Sequence, residues 1–144
     1  MDLIQEYSRV PNPLELDETC QAALPELAQR GLELFNKGEY FEAHELLEEI
    51  WKEDITPGRE LYRAVLQIAV AYLQITRRNY NGAIKMFWRS RQWIDPLPDE
   101  CRGVDVAQLR KDARQVYRTL VDLGRERISE FDLSLLKPVH YVVP

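Results

Sequence analysis

The sequence predicts an all-α protein: a compact bundle of about five helices built from antiparallel helix hairpins. Three observations carry this reading. Apolar residues recur at helical spacing in several separate segments. Capping and turn residues (Gly, Asn, Asp, Pro) stand between those segments. One segment is apolar around most of its circumference, as a helix at the centre of a bundle must be. A chain of 144 residues, 45% apolar and 30% charged, is long enough to bury a real core and is expected to form one domain over 1–144.

Residues 1–16 read as an N-terminal tail, because Pro11 and Pro13 flank Asn12 and oppose a regular helix there. Asp17 is then placed to cap a first helix over about 18–37, which Pro25 kinks or divides. Beyond Pro25, Leu27, Leu32, Leu34 and Phe35 keep near-helical spacing, and Gly38 is placed as a left-handed C-cap. A second helix follows from about Tyr40 to Lys52, with Tyr40, Ala43, His44, Leu47, Ile50 and Trp51 on one face. Thr56 and Pro57 are a start signal for a third helix reaching about Arg78. This is the helix that is apolar nearly all round, broken only by the polar stripe Glu60, Arg63, Gln67, Gln74 and Arg78.

Asn79 makes a short turn into a fourth helix, about Tyr80 to Trp93, with Ala83, Ile84, Phe87 and Trp88 as its apolar set. Asp95 to Glu100 is a proline-rich loop. Asp105 is placed to cap a fifth helix, in which Val106, Leu109, Ala113, Val116, Leu120 and Leu123 recur. Gly124 can end it, or Arg125 to Ile128 can extend it by a turn. Residues 129–144 have no helical period but are strongly apolar, and are expected to dock on the bundle or on a partner chain. The stretches GEYFEAHELLE and RNYNGAIKMFW align with Tyr40 over Tyr80, Ala43 over Ala83 and Leu47 over Phe87. Two similar helix hairpins explain this better than a true repeat array.

Net charge is −5, which disfavours a general polyanion binder and makes nucleic acid an unexpected partner. The first residues lack the basic start and apolar core of a signal peptide. The longest apolar run, Ala64 to Ile75, is interrupted by Gln67 and Gln74 and suits a buried helix, so no membrane partner is expected. Cys20 and Cys101 show no CxxC spacing and are expected as free thiols in the cytoplasm.

The chemistry concentrates on the second helix. His44 and Glu48 are one turn apart, with the histidine in the middle of the apolar arc. A buried imidazole needs partners for both nitrogens. If the polar stripe of the third helix faces it, His44, Glu48, Gln67 and Arg63 close a polar cluster. Three readings stay open: a hydrogen-bonded network that fixes helix register, a site for a small anionic or polar ligand, and a metal site with His44 and Glu48 as an i, i+4 ligand pair. The candidate binding set is Tyr40, His44, Glu48, Trp51, Arg63 and Gln67. The cofactor is left open, with a divalent metal at His44 and Glu48 as a candidate. Against it, Phe41 stands where a Glu-x-x-His motif would need an acid, and the second histidine of a zincin motif is replaced by Glu48. The remaining histidine, His140, lies in the tail. His44 held by Glu48 has the form of an oriented general base, but Ser90, Ser129, Ser134 and the cysteines stand in ordinary contexts for a nucleophile. Trp51, Trp88 and Trp93 read as core or interface anchors. Lys85, Arg89 and Gln92, with Arg77, Arg78 and Arg91 nearby, read as a solvated helix face.

Residues Phe35 to about Phe87 resemble the small helical family catalogued as domain of unknown function 309. The first block is Asn36, Gly38, Tyr40, then Glu42, Ala43, His44 and Glu45, then Glu48 or Glu49 before Trp51. A second block is Leu66, Gln67, Ile68 and Ala69, and a third is Arg78-Asn79 leading to Gly82-Ala83. Arg78 replaces the usual turn glycine, which suggests a slightly different turn. Arg63 with Ala64 stands where the family often has Gln-Gly. The resemblance implies an all-α bundle and no activity. The functional expectation is therefore a non-catalytic binding or interaction module, with a small ligand or a protein as partner and a homo-oligomer allowed. The alternative is a metal-dependent or acid–base enzyme using His44 and Glu48.

Overall fold

The computed structural model of the protein describes residues 12–143. Helix α1 spans Pro13–Thr19, α2 Glu26–Asn36, α3 Tyr40–Glu53, α4 Glu60–Thr76, α5 Tyr80–Ile94 and α6 Val106–Leu123. Strands β1, Glu100–Cys101, and β2, Val104–Asp105, form a small antiparallel hairpin. Short 3-10 turns cover Pro57–Arg59, Arg125–Glu130 and Leu133–Leu135. The fold is all-helical, as the periodicity predicts.

The largest change is at the start. The expected tail reaches residue 16, but within the described residues the first helix begins at Pro13; residues 1–11 lie outside them. Proline is tolerated at the first helical position, where its missing N–H has no intrahelical partner anyway. The Asn12 side chain caps the turn by accepting from the N–H of Leu14 at 2.9 Å and Glu15 at 3.3 Å. Asp17 therefore sits inside α1 and caps nothing, and Pro25 divides the region by becoming the N-cap of α2.

Helix α4 is the centre of the bundle. Ala64, Ile68, Ala69, Ala71 and Tyr72 are fully buried along it, with α3 on one flank and α5 on the other. Phe35, Tyr40, Tyr72 and Phe87 join α2, α3, α4 and α5 through ring contacts of 5.3–6.1 Å. The hairpins α2–α3 and α4–α5 turn in the same way. At the first, Gly38 lies at φ +79° and the N–H of Glu39 donates to the Leu34 carbonyl at 2.9 Å. At the second, Arg78 lies at φ +59° and the N–H of Asn79 donates to the Gln74 carbonyl at 2.8 Å. The different turn suggested by Arg78 is thus not found: arginine adopts the left-handed conformation that glycine adopts in the other hairpin.

Asp105 caps α6 as predicted, accepting from the Gln108 N–H at 3.0 Å. The β-hairpin before it is a feature the sequence reading lacks. Its tip, Arg102 and Gly103, has positive φ at both residues, the geometry of a two-residue hairpin turn. A Cβ on Gly103 would lie 2.6 Å from the Val142 carbonyl oxygen, because the C-terminal segment packs there. That segment is held by backbone bonds from Asp105 N–H to His140 O (2.9 Å) and from Val142 N–H to Gly103 O (3.0 Å). The Asn36 side chain also pairs with both backbone groups of Val139, at 3.0 and 2.7 Å, and Val139 is buried.

Cys20 and Cys101 are joined by a disulfide, which corrects the expectation of two free thiols. The argument from thiol state to a reducing compartment falls with it. Distance along the chain hid the pair: the hairpin brings Cys101 back to the end of α1. Next to it, Arg102 is buried and makes a five-way junction. Its backbone N–H donates to Cys20 O at 2.6 Å and its Nε to Thr19 O at 3.1 Å. Nη1 donates to Asp54 Oδ2 at 2.6 Å and to the Tyr62 hydroxyl at 2.8 Å, and Nη2 donates to Thr56 Oγ1 at 2.9 Å. Burial pushes the Asp54 carboxyl up, but hydrogen bonds from Thr56 and Arg102 outweigh it and hold the group below its ordinary value.

Three outcomes are expected from stability measurements. Arg102→Ala should cost about 3–5 kcal/mol in denaturant unfolding, because it strands a part-buried carboxylate. Because the folded-state pKa of Asp54 is depressed, its contribution is complete above about pH 4 and is lost as pH falls through the folded value. Asp54→Asn should flatten that acid limb, and an unchanged limb would contradict the junction. Arg78→Gly should raise stability by about 0.5–1 kcal/mol, since it relieves a left-handed non-glycine residue. A lower melting temperature for that variant would contradict the shared-turn reading.

Candidate functional site

The fourteen-residue helix α3 places His44 and Glu48 one turn apart on a single face. His44 Nε2 lies 3.1 Å from Glu48 Oε2, and Lys52 Nζ lies 3.0 Å from the other carboxylate oxygen. The side chains are 27% and 38% exposed, so the pair sits at the edge of the core and opens outward. The ring is nonetheless anchored. Its Nδ1 is buried and has no hydrogen-bond partner, and the Phe41 ring lies 6.1 Å from it. Phe41, Glu45, Glu49, Lys52 and Glu53 complete an open concavity of about 390 Å³ around the pair.

The other predicted site residues go elsewhere. Tyr40 turns into the core against Phe35 and Tyr72, where burial raises its phenol pKa. Arg63 is buried and forms a bidentate pair with Glu60, Nε to Oε2 at 2.6 Å and Nη2 to Oε1 at 2.7 Å. Its guanidinium lies 3.4 Å from the Trp93 ring centroid and 4.6 Å from that of Trp51, whose Nε1 donates to Glu60 at 3.3 Å. Arg59 adds a second cation, 5.1 Å from the Trp51 ring. Gln67 is half-buried, and its Oε1 is without a hydrogen-bond partner. The closed cluster of His44, Glu48, Gln67 and Arg63 is therefore not formed. Glu60, one turn before Arg63 on the same helix, takes the guanidinium instead. The sequence reading placed Glu60 on the polar stripe without assigning it this role. Its spacing of three from Arg63 and the adjacent Arg59 were the available signal.

Among the described residues, no group of three or more His, Cys, Asp or Glu side chains is placed to hold a metal ion. His44 and Glu48 alone offer two donors, short of the four of a structural zinc site. None of the residues lining the concavity is a serine, threonine or cysteine. Ser90 is buried on α5 and donates to the Phe87 carbonyl at 2.8 Å. What the arrangement offers is an anchored imidazole beside a carboxylate on a strongly acidic wall.

This geometry lies within a segment shared with known proteins. Residues 28–86 match the model of the family described as Domain of unknown function (DUF309). The resemblance read from the sequence is shown, and the match runs from α2 to the middle of α5. The chain is also similar to the uncharacterized protein YpuF of Bacillus subtilis (strain 168), 43% identical over 104 residues, covering 70% of this chain and 56% of that protein. An uncharacterized protein of Aquifex aeolicus (strain VF5) is 26% identical over 98 residues, covering 65% of this chain and 28% of its own length. The chain thus spans between about a quarter and a little over half of these relatives. No helix among the described residues is long and apolar enough to cross a membrane.

Burial separates the energetic roles of the two ion pairs. Glu48→Ala is expected to change stability by less than about 1 kcal/mol, as for exposed pairs. Glu60→Gln is expected to cost about 3–5 kcal/mol, because it removes the carboxylate facing a buried guanidinium. Chemical denaturation of both variants checks the contrast; equal losses would refute it.

Proposed function

We propose that the protein is a non-catalytic interaction module, and that the outer face of α3 around His44 and Glu48 receives a basic segment of a partner protein. The observation that carries this reading is the composition of the concavity: four glutamates, Glu45, Glu48, Glu49 and Glu53, against one cation, Lys52. An incoming lysine or arginine would compete with Lys52 for Glu48. Its aliphatic stem would lie on the ring of Phe41, which is 45% exposed. His44, already fixed by Glu48, presents a pre-oriented polar edge and loses little freedom on binding. Charge complementarity of this kind sets partner choice and association rate more than tight affinity. The metal-dependent or acid–base reading keeps two donors, His44 and Glu48, and would need the rest from a partner.

The test uses the full chain and a labelled peptide of alternating lysine and leucine, followed by fluorescence anisotropy. Binding is expected to weaken at least about tenfold in the Glu45→Lys, Glu49→Lys double variant, and to weaken as salt screens the contact. The same peptide with glutamate in place of lysine should not bind this face. Equal affinity for both peptides, or no effect of the double variant, would remove the proposal. Stoichiometric zinc, iron or manganese on purified protein that disappears in His44→Ala would replace it with the metal reading.

A further inference from the structure

A second surface stands apart from α3, and its observations are independent of that reading. Helices α5 and α6 run antiparallel. The pairing of Asn81 with Arg125 at 3.1 Å, of Trp88 with Tyr117 at 3.0 Å and of Asp95 with Arg114 at 3.7 Å marks the seam from end to end. On α5, Ile84, Trp88 and Arg91 follow one another at spacings of four and three. On α6, Arg114, Arg118 and Val121 do the same. The seam is apolar along its middle and open to solvent: Trp88 is 63% exposed and Val121 44%. Of the three tryptophans Trp88 is the exposed one; Trp93 is buried and Trp51 part-buried.

Cations flank the apolar stripe. Lys85, Arg91, Arg118 and Arg125 are exposed, and none forms an ion pair among the described residues. Arg91 lies over the Tyr117 ring at 4.6 Å, and Tyr117 in turn holds the Trp88 indole N–H. The two rings are thereby linked to each other and to Arg91 across the seam. Of the carboxylates near the seam, Asp95 is already met by Arg110 and Arg114, and Asp122 is exposed one turn beyond Arg118 on α6.

We propose that this seam is a docking surface for an acidic amphipathic helix of a partner protein. A groove between two antiparallel helices is where the side-chain ridge of a third helix nests. The apolar residues of that helix would cover Ile84, Trp88 and Val121, and its carboxylates would reach Lys85, Arg91, Arg118 and Arg125 on the two flanks. This is the helix-in-groove mode, with charge setting the orientation. The apolar side chains of Ile84, Trp88 and Val121 favour a helix over a nucleic acid, and the net charge of −5 opposes general polyanion binding.

The probe is a synthetic amphipathic peptide with leucines on one helical face and glutamates on its flanks, titrated by fluorescence anisotropy into the full chain. Its controls are a scrambled peptide of the same composition and a single-stranded oligonucleotide. Saturable binding is expected, at least about tenfold tighter than the scrambled peptide. Trp88→Ala and Arg118→Glu should each weaken it at least about fivefold. Both positions are on the surface, and an unchanged melting curve confirms that each variant folds. The Glu45→Lys, Glu49→Lys variant should bind the acidic peptide as before, which separates this surface from the one on α3. Lack of saturation, equal affinity for the scrambled peptide, or indifference to both substitutions would overturn the proposal. So would tighter binding of the oligonucleotide that is lost in the same two variants.

Discussion

The junction at Arg102 is the constraint on which the rest of the arrangement depends. A guanidinium taken out of water must recover its hydration from fixed acceptors. Here the acceptors come from three places in the chain: the end of α1, the loop after α3 and the first turns of α4, while the neighbouring disulfide ties the hairpin to α1. Asp54, Thr56 and Tyr62 are thus held to one guanidinium, which links the end of α3 to the first turns of α4. The cost of the left-handed backbone at Arg102, φ +52°, is offset by the bonds that this conformation allows the side chain to make.

Given that anchor, the two hairpins explain why the face around His44 is where it is. Gly38 and Arg78 close equivalent turns. Ala43 and Ala83, both fully buried just after them, let each hairpin close tightly on α4. Gly31 adds to this on α2: a Cβ there would lie 2.8 Å from Leu47, so α2 and α3 approach closely. With Ala43, Leu47 and Ile50 committed inward, the helical period leaves His44 and Glu48 at the boundary and Glu45, Glu49 and Glu53 outside.

The helices were legible because their signals are local. The apolar periods of α3 to α6, the cap at Asp105 and the break at Pro25 each depend on residues within a turn or two. The hairpin, the disulfide and Arg102 were not legible, because each depends on segments far apart in sequence; Cys20 and Cys101 are separated by 81 residues. At the site, the His44–Glu48 contact was readable from spacing alone. The direction of the pair was not: the sequence places His44 in the middle of the apolar arc, but Ala43, Leu47 and Ile50 take the buried face and leave it at the boundary. Arg63 was misassigned because a nearer carboxylate on its own helix outcompetes one across a helix interface.

The two polar clusters near the core edge differ in what they can still do. Glu60 and Arg63 satisfy one another in two hydrogen bonds between stacked tryptophans. A ligand entering there would have to break a desolvated ion pair before making any contact of its own. Glu48 is shared between His44 and an exposed lysine, and solvent already reaches the carboxylate. Exchanging Lys52 for a cation from outside replaces one screened contact with a similar one, so the displacement costs little. A recognition surface needs groups that are held in position but not fully committed, and that condition favours α3 over the more tightly bonded cluster beside it.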